Sequence, residues 1–172
     1  MSEFIPVLTK EDIEAQVRRI ARAISNDYRD RELILIGILK GAFIFLSDLI
    51  RQLSIPVKVD FMCASSYGDS TRSTGRITLS KDVDIDIENK DVLIVEDIVD
   101  TGLTLSYLVD YLKSSGAASV RICALIDKRE RRETDVTVDY VCHTVEKGFL
   151  VGYGLDYAEF YRNLPEVYHL KL

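Results

Sequence analysis

Residues 92–105 read Val-Leu-Ile-Val-Glu-Asp-Ile-Val-Asp-Thr-Gly-Leu-Thr-Leu. The four leading apolar residues predict a strand that is buried on both faces. The strand ends in two adjacent acids, Glu96 and Asp97, and a third acid, Asp100, follows. A hydroxyl and a glycine then open a predicted helix. In open α/β sheets, ligands bind beyond the carboxyl ends of the strands, so these acids lie where a ligand site is expected.

Hydrophobic periodicity extends the same alternation of strands and helices along the chain. It predicts helices over about 9–25, 42–53 and 102–115, and strands over about 33–39, 57–63, 92–95, 120–126 and 136–141. Thr9 and Asp12 have the spacing of a capping box, and Gly116 stands where a left-handed C-cap is usual. The alternation predicts an α/β fold with a mostly parallel sheet flanked by helices.

Composition limits the class of protein. The chain has 172 residues, 47% hydrophobic and 29% charged, which suits one folded domain over 1–172 and excludes wholesale disorder. The net charge of −6 argues against a protein that coats nucleic acid. No apolar run approaches the roughly 20 residues of a membrane span, and no signal peptide is visible, so we expect a cytoplasmic protein.

The three cysteines and two histidines give no sign of a disulfide framework or a zinc site. Cys63, Cys123 and Cys142 are widely spaced and stand among apolar residues. We expect buried free thiols in a reducing compartment. His143 and His169 are too isolated in the sequence to suggest zinc ligands.

A polar stretch over about 65–77 is rich in small residues and lacks periodicity. Loops of this length without secondary structure are usually either functional or disordered. We expect a mobile loop that closes over an active site.

The residues after the central strand suit a ribose phosphate. A helix N-terminus offers unpaired N–H groups to a phosphate, and Gly102 lets the backbone approach closely. Nearby carboxylates accept hydrogen bonds from the vicinal hydroxyls of a sugar. Two alternatives stay open from the residues alone: an ordinary helix N-cap with a charged first turn, and, less favoured, a magnesium site built only from protein ligands.

The same segment resembles the phosphoribosyl-pyrophosphate motif of type I phosphoribosyltransferases. The Glu-Asp pair with a later Asp is typical of the purine branch of that family, and the whole chain resembles its bacterial hypoxanthine-guanine members. Further matches support the resemblance: Leu39-Lys40-Gly41, Ser66-Tyr67 with Ser73-Thr74-Gly75, Lys128-Arg129, 149–157 and Arg162.

The resemblance implies a fold and a reaction. The fold is a mostly parallel twisted sheet flanked by helices, with a small hood and a mobile active-site loop. The reaction transfers 5-phosphoribosyl from phosphoribosyl pyrophosphate to N9 of a 6-oxopurine, hypoxanthine or guanine, and releases pyrophosphate. Its transition state resembles an oxocarbenium ion. The family forms homodimers or homotetramers.

The resemblance also assigns roles to residues. Glu96 and Asp97 hold the ribose hydroxyls, directly or through metal-bound water, and Asp100 lies near purine N7 as the proposed general base. Lys128 donates to purine O6. The remaining assignments are the 5′-phosphate loop Asp100, Thr101, Gly102, Leu103 and Thr104; the purine contacts Phe149, Leu150 and Asp156; the pyrophosphate contacts Leu39, Lys40, Gly41 and Arg162; the mobile-loop residues Ser66 and Tyr67; and Asp156 as a direct ligand of Mg²⁺.

Three further expectations complete the comparison with the family. The peptide between Leu39 and Lys40 is expected to be cis. Leu103 stands where several relatives have Lys, so a charged contact from that side chain is absent. The basic residues that follow Lys128 are predicted to form a solvated face; they are Arg129, Arg131 and Arg132.

Two other classes of protein fit the sequence less well. A non-catalytic nucleotide sensor that binds RNA or DNA predicts a basic face and the loss of base-side residues, yet Asp100, Lys128 and Phe149 are present and the chain is acidic. A signalling receiver domain also has an acidic pair after an apolar strand, but too few residues follow Asp97 here for such a domain.

Overall fold

The computed structural model describes residues 2–67 and 76–172. In these two ranges the chain forms three helices and nine strands. Their bounds are β1 Glu3–Leu8, α1 Lys10–Asp27, β2 Leu33–Ile38, α2 Phe43–Gln52, β3 Val57–Tyr67, β4 Arg76–Lys81, β5 Asp91–Val99, α3 Leu103–Ser114, β6 Ser119–Lys128, β7 Tyr140–Val145, β8 Leu150–Val151 and β9 Val167–Lys171.

The main sheet has six strands in the order β4-β3-β2-β5-β6-β7. All its pairings are parallel except that of β3 with β4. The predicted α/β class with a mostly parallel sheet is therefore confirmed. Because β2, β5 and β6 run side by side in one direction, the residues that follow them meet at one edge of the sheet.

Alternate residues of the central strands enter two separate cores. Leu33, Leu35, Leu93 and Val95 face α1 and α2, which contribute buried residues such as Ile13, Phe45 and Leu49. The intervening Ile34, Ile36, Val92 and Ile94 face α3 through Leu105, Leu108 and Leu112. A strand that is buried on both faces consists of consecutive apolar residues, and such runs are why the sequence predicts β2 and β5 clearly.

A second, three-stranded antiparallel sheet in the order β1-β9-β8 forms the hood that the resemblance implied. It joins the two ends of the chain, with Glu3 opposite Lys171. The hood is tied to α2 by a hydrogen bond from the Tyr153 hydroxyl to the Asp48 carboxylate. Burial and that bond raise the pKa of the Tyr153 hydroxyl far above its usual value.

Two of the predicted strands, 57–63 and 136–141, have different bounds in the structure. β3 continues to Tyr67, and β4 begins at Arg76, so both ends of the expected 65–77 loop pair as an antiparallel hairpin. Residues 68–75 lie outside the described residues, and so does the expectation that the loop is mobile.

The last parallel strand begins four residues later than predicted, at Tyr140 instead of 136. Val136 and Val138 pack against the α3-side core without joining the sheet ladder. Pairing with β6 starts only at Asp139, whose N–H donates to the Ile122 carbonyl while its carboxylate accepts from the Ile122 N–H. The apolar pattern over 136–141 therefore predicted burial correctly but placed the start of the paired strand too early.

Local chemistry at the helix ends matches the sequence. The Thr9 hydroxyl accepts from the Asp12 N–H at 3.1 Å, and the Asp12 carboxylate accepts from the Thr9 N–H at 3.0 Å. Gly116 has φ 101° after the end of α3, as a left-handed C-cap requires.

The three cysteines are free; Cys123 and Cys142 are buried, whereas Cys63 is half-buried. In the described ranges, no helix has the length and apolarity needed to cross a membrane.

The amino-terminal edge of the main sheet is held by ion pairs. The Glu32 carboxylate accepts from the Lys58 and Lys90 ammonium groups at 2.7 Å each, which links β3 and the start of β5 across β2. These two hydrogen bonds lower the pKa of Glu32 to about 2.

This pKa predicts how stability depends on pH. Because the folded-state value of about 2 lies below the ordinary value of 4.5, the contribution of Glu32 is fully present above pH 4.5 and is lost as the pH falls toward 2. We expect Glu32→Gln to lower the urea midpoint at pH 7, with a deficit that shrinks as the pH falls. Glu14→Gln, at an exposed position of α1, is the control. A deficit that stays constant down to pH 2.5 would contradict the assignment.

Candidate active site

A cavity of about 310 Å³ opens at the carboxyl edge of the main sheet. The ends of β2 and β5, the start of α3 and a hood segment line it. It brings together ten of the predicted site residues: Leu39, Gly41, Glu96, Asp97, Asp100, Thr101, Gly102, Thr104, Asp156 and Arg162. Three larger clefts, of about 560, 680 and 360 Å³, contain none of the predicted site residues.

The acidic pair lies half-buried at the end of β5. The Asp97 N–H donates to the Glu96 carboxylate at 3.0 Å, and the Ile98 N–H donates to the Asp97 carboxylate at 2.6 Å. Burial and the Asp97 charge raise the pKa of Glu96 well above its usual range. Burial also raises the pKa of Asp97, although hydrogen bonds from Glu96 and Ile98 oppose that rise. Backbone hydrogen bonds thus hold both carboxylates in the lining of the cavity.

Two glycines let three segments meet beside these acids. A Cβ on Gly41 would overlap the Asp97 carboxylate, and a Cβ on Gly154 would overlap the Gly41 carbonyl oxygen. The turn after β2 is thus clasped between the end of β5 and the hood. The peptide between Leu39 and Lys40 in this turn is cis, as the resemblance implied.

The start of α3 borders the cavity through Thr101, Gly102 and Thr104. Its N-cap is Gly102 at φ 83°, which has no side chain to cap the helix, whereas α1 begins with a full capping box. The Leu103 N–H donates to the Thr101 hydroxyl at 3.3 Å, so part of this helix start is bonded within the loop. The loop is fixed from behind because the Thr101 carbonyl accepts from the N–H groups of Glu133 and Thr134 at 2.9 and 3.1 Å.

A chain of polar contacts extends from the cavity toward the predicted purine side. The Lys128 ammonium is buried and lies 3.6 Å from the Asp100 carboxylate and 3.1 Å from the Gly148 carbonyl oxygen. Asp100 Oδ1 is buried and, among the described residues, has no hydrogen-bond partner. Phe149 follows Gly148 and is 47% exposed although it stands in an apolar segment. Its ring packs edge-on against Tyr157, with centroids 5.6 Å apart, which leaves aromatic surface open.

A charged cluster closes the cavity on the hood side. Arg162 lies 3.2 Å from the Asp156 carboxylate and donates to the Gly154 carbonyl at 2.7 Å. Glu159, which the sequence analysis did not select, accepts from Lys40 at 2.8 Å and from Arg162 at 3.3 Å. Its spacing of three residues from both Asp156 and Arg162 is the only signal of it in the sequence.

The predicted solvated face is wrong for one of its three arginines. Arg129 and Arg131 have side chains 63% and 66% exposed, but that of Arg132 is only 21% exposed. Its guanidinium donates to the Asp100 carbonyl at 2.9 Å and the Lys128 carbonyl at 3.2 Å, and it pairs with buried Asp127. Arg132 therefore ties the end of β5 to the end of β6.

The remaining predicted site residues lie outside the cavity lining. Leu103 is half-buried in the first turn of α3, and Leu150 is buried in β8. Ser66 is exposed on β3, and the backbone of Tyr67 ends that strand. The structure therefore gathers most of the residues predicted to bind ribose, phosphate and pyrophosphate at one cavity and places most of the predicted purine contacts next to it.

A model of the phosphoribosyl transferase domain matches residues 7–158 of this chain. The chain belongs to the phosphoribosyltransferase family. Known members are similar to this phosphoribosyltransferase along nearly its whole length. The hypoxanthine-guanine phosphoribosyltransferase of Aquifex aeolicus is 48% identical over 163 residues, which cover 94% of this chain and 92% of that one. The enzyme of the same name from Bacillus subtilis is 44% identical over 165 residues, covering 96% and 92%.

Solved structures agree with these sequence relatives. The crystal structure of a hypoxanthine phosphoribosyltransferase from Staphylococcus aureus has a TM-score of 0.93 and 44% identity, covering 96% of this chain and 90% of that one. A hypoxanthine-guanine phosphoribosyltransferase from Bacillus anthracis has a TM-score of 0.92 and 39% identity over the full length of both chains. The fold and the family implied by the sequence motifs are confirmed.

The phosphoribosyltransferase is expected to depend on Arg132 for stability. Arg132→Met leaves the buried Asp127 carboxylate with only its longer contact to Arg129 at 3.5 Å, and breaking such a buried pair costs about 3 kcal/mol of unfolding free energy. Arg131→Met, one residue away but exposed, should change it by less than about 0.5 kcal/mol. Urea unfolding of both variants measures the difference, and equal small losses would show that Arg132 is an ordinary surface residue.

Proposed function

We propose that this phosphoribosyltransferase acts in purine salvage, transferring the 5-phosphoribosyl group of phosphoribosyl pyrophosphate to N9 of hypoxanthine or guanine. The products are the purine nucleoside monophosphate and pyrophosphate. One observation carries the proposal: an acidic pair, a helix start at Gly102 and a buried lysine lie within one connected site. The names of the relatives support the same substrates.

The sugar and its phosphate would bind along the β5–α3 junction. Glu96 and Asp97 accept hydrogen bonds from the ribose hydroxyls, and their negative charge favours a cationic sugar in the transition state. The loop from Thr101 to Thr104 would receive the 5′-phosphate, because the helix dipole favours an anion there and the N-cap residue Gly102 has no side chain to compete for the helix start.

Lys128 would select the base. An ammonium group has three N–H donors, and the Gly148 carbonyl takes one of them. A remaining donor can reach O6 of a 6-oxopurine. Adenine presents an amino group at that position, so two donors would face each other in a buried site, which is costly. The half-exposed Phe149 ring provides a stacking surface for the purine.

Asp100 would hold the proton at purine N7. Its buried Oδ1 has no hydrogen-bond partner among the described residues, so this oxygen can accept a hydrogen bond from an N–H donor of the base. Its other oxygen is oriented between Lys128 and Arg131. An acceptor at N7 makes N9 more nucleophilic at the moment when it attacks the sugar.

The leaving pyrophosphate would be held by Leu39, Lys40, Gly41 and Arg162. In the described residues, no group of three or more metal-ligating side chains comes together. Asp156, Glu96 and Asp97 therefore suit a Mg²⁺ ion that takes most of its ligands from water and substrate oxygens. Such an ion supplies positive charge that neutralises the leaving group. The alternative of a magnesium site made only of protein ligands finds no support in this geometry.

Steady-state turnover with the four purine bases tests the proposal. With phosphoribosyl pyrophosphate and Mg²⁺, hypoxanthine or guanine should react and adenine should not; xanthine is ranked by the same assay. Chelation of the metal with EDTA should stop turnover, and added Mg²⁺ should restore it. A protein that binds the nucleotide but turns over none of the four bases would instead be a sensor.

The role of Asp100 has its own test. Asp100→Asn keeps the size of the side chain and removes the proton acceptor, so kcat should fall about 100-fold or more. Binding of phosphoribosyl pyrophosphate should change little, because the phosphate rests on backbone groups. Asp110→Asn, at an exposed position of α3, is the matched control. An Asp100→Asn enzyme with normal kcat would remove Asp100 from the proton transfer.

Assembly and compartment complete the proposal. The family resemblance and the prevalence of closed symmetry among soluble oligomers support a homodimer or homotetramer. The free thiols of all three cysteines support a reducing, cytoplasmic environment.

A further inference from the structure

Glu159 connects two cations across the mouth of the cavity. One of its carboxylate oxygens lies 2.8 Å from the Lys40 ammonium, and the other lies 3.3 Å from the Arg162 guanidinium. Lys40 belongs to the turn after β2, whereas Arg162 belongs to the hood. A single carboxylate thus bridges the two sides of the site.

These cations are the ones that the proposed function gives to pyrophosphate. Among the described residues, Glu159 is the carboxylate partner of Lys40, and it is a second partner of Arg162 beside Asp156. Glu159 supplies the counter-charge with one oxygen for each cation, which is the arrangement that an oxyanion of pyrophosphate would adopt between them.

The Glu159 backbone and side chain differ in how firmly they are held. The backbone has φ 69°, and its N–H donates to the Asp156 carboxylate at 2.8 Å. The side chain is 64% exposed, as is that of Lys40 at 65%. The Arg162 side chain is only 19% exposed, but it keeps its contacts to Asp156 and Gly154 when Glu159 leaves. The pair with Lys40 is exposed, and exposed ion pairs contribute little stability, so the Glu159 carboxylate can leave at small cost while its backbone stays in place.

We propose that Glu159 is an internal substitute for pyrophosphate. It neutralises Lys40 and Arg162 in the empty site, leaves them when the pyrophosphate group of the substrate enters, and returns when pyrophosphate departs. Competition from this carboxylate sets the affinity for pyrophosphate and promotes its release. The inference rests on the proposed function, since it takes Lys40 and Arg162 to be pyrophosphate ligands.

Glu159→Gln should therefore strengthen pyrophosphate binding. A neutral amide competes weakly for the two cations, and the loss of the exposed pair with Lys40 and the partly buried pair with Arg162 corresponds to about 3- to 10-fold tighter binding. The KM for phosphoribosyl pyrophosphate should fall with it, and product inhibition by pyrophosphate should become stronger. Glu159→Asp, one methylene shorter, cannot span both cations and should give an intermediate gain.

Calorimetric titration of inorganic pyrophosphate with Mg²⁺ into the full-length protein measures the effect. Glu88→Gln removes one exposed negative charge far from the cavity and is the matched control. Lys40→Ala tests the pyrophosphate assignment itself and should weaken binding. In the Lys40→Ala background, Glu159→Gln should gain no more than about twofold, because one of its two partners is gone.

The outcomes separate the inference from the proposed function. Unchanged or weaker binding by Glu159→Gln, an equal gain in Glu88→Gln, or an undiminished gain in the Lys40→Ala background overturns the role of Glu159. If instead Lys40→Ala binds pyrophosphate normally, the pyrophosphate assignment fails, and the inference fails with it.

Discussion

The in-register parallel pairing of β5 with β2 on one side and β6 on the other is the constraint on which the site depends. It brings Lys40 and Gly41 after β2, the acids of β5 and Lys128 at the end of β6 to one edge of the sheet. The absence of a side chain at Gly41 and Gly154 completes the arrangement, because Gly41 can then pack directly against Asp97 and against Gly154 of the hood. A side chain at Gly41 would push the turn after β2 away from Asp97, and one at Gly154 would push that turn away from the hood.

Elements whose order follows from local patterns could be predicted from the sequence. β2 and β5 are apolar on both faces, so their runs of Leu, Ile and Val stand out in the chain. The capping box at Thr9 and the left-handed Gly116 follow from neighbouring residues alone. The acidic pair followed by a helix start at Gly102 also stands out in the sequence, and a helix start after a parallel strand is a usual place for an anion to bind.

Features that depend on contacts between distant residues could not be predicted from local sequence patterns. The hood strands β8 and β9 are short and acquire their partners only when the two ends of the chain meet. Val136 and Val138 are buried yet lie outside the ladder, so their pattern placed β7 too early. Arg132 stands in a basic run and looked solvated, but the β5–β6 junction surrounds it with carbonyl groups. Glu159 meets Lys40 from 119 residues away.

A crystal structure with a bound purine nucleoside 5′-monophosphate tests the central claim most directly. The account predicts that both ribose hydroxyls contact the carboxylates of Glu96 and Asp97, with the phosphate against the first N–H groups of α3. A nucleotide whose ribose lies anywhere else, such as the cleft between α1, α2 and the hood, would contradict it.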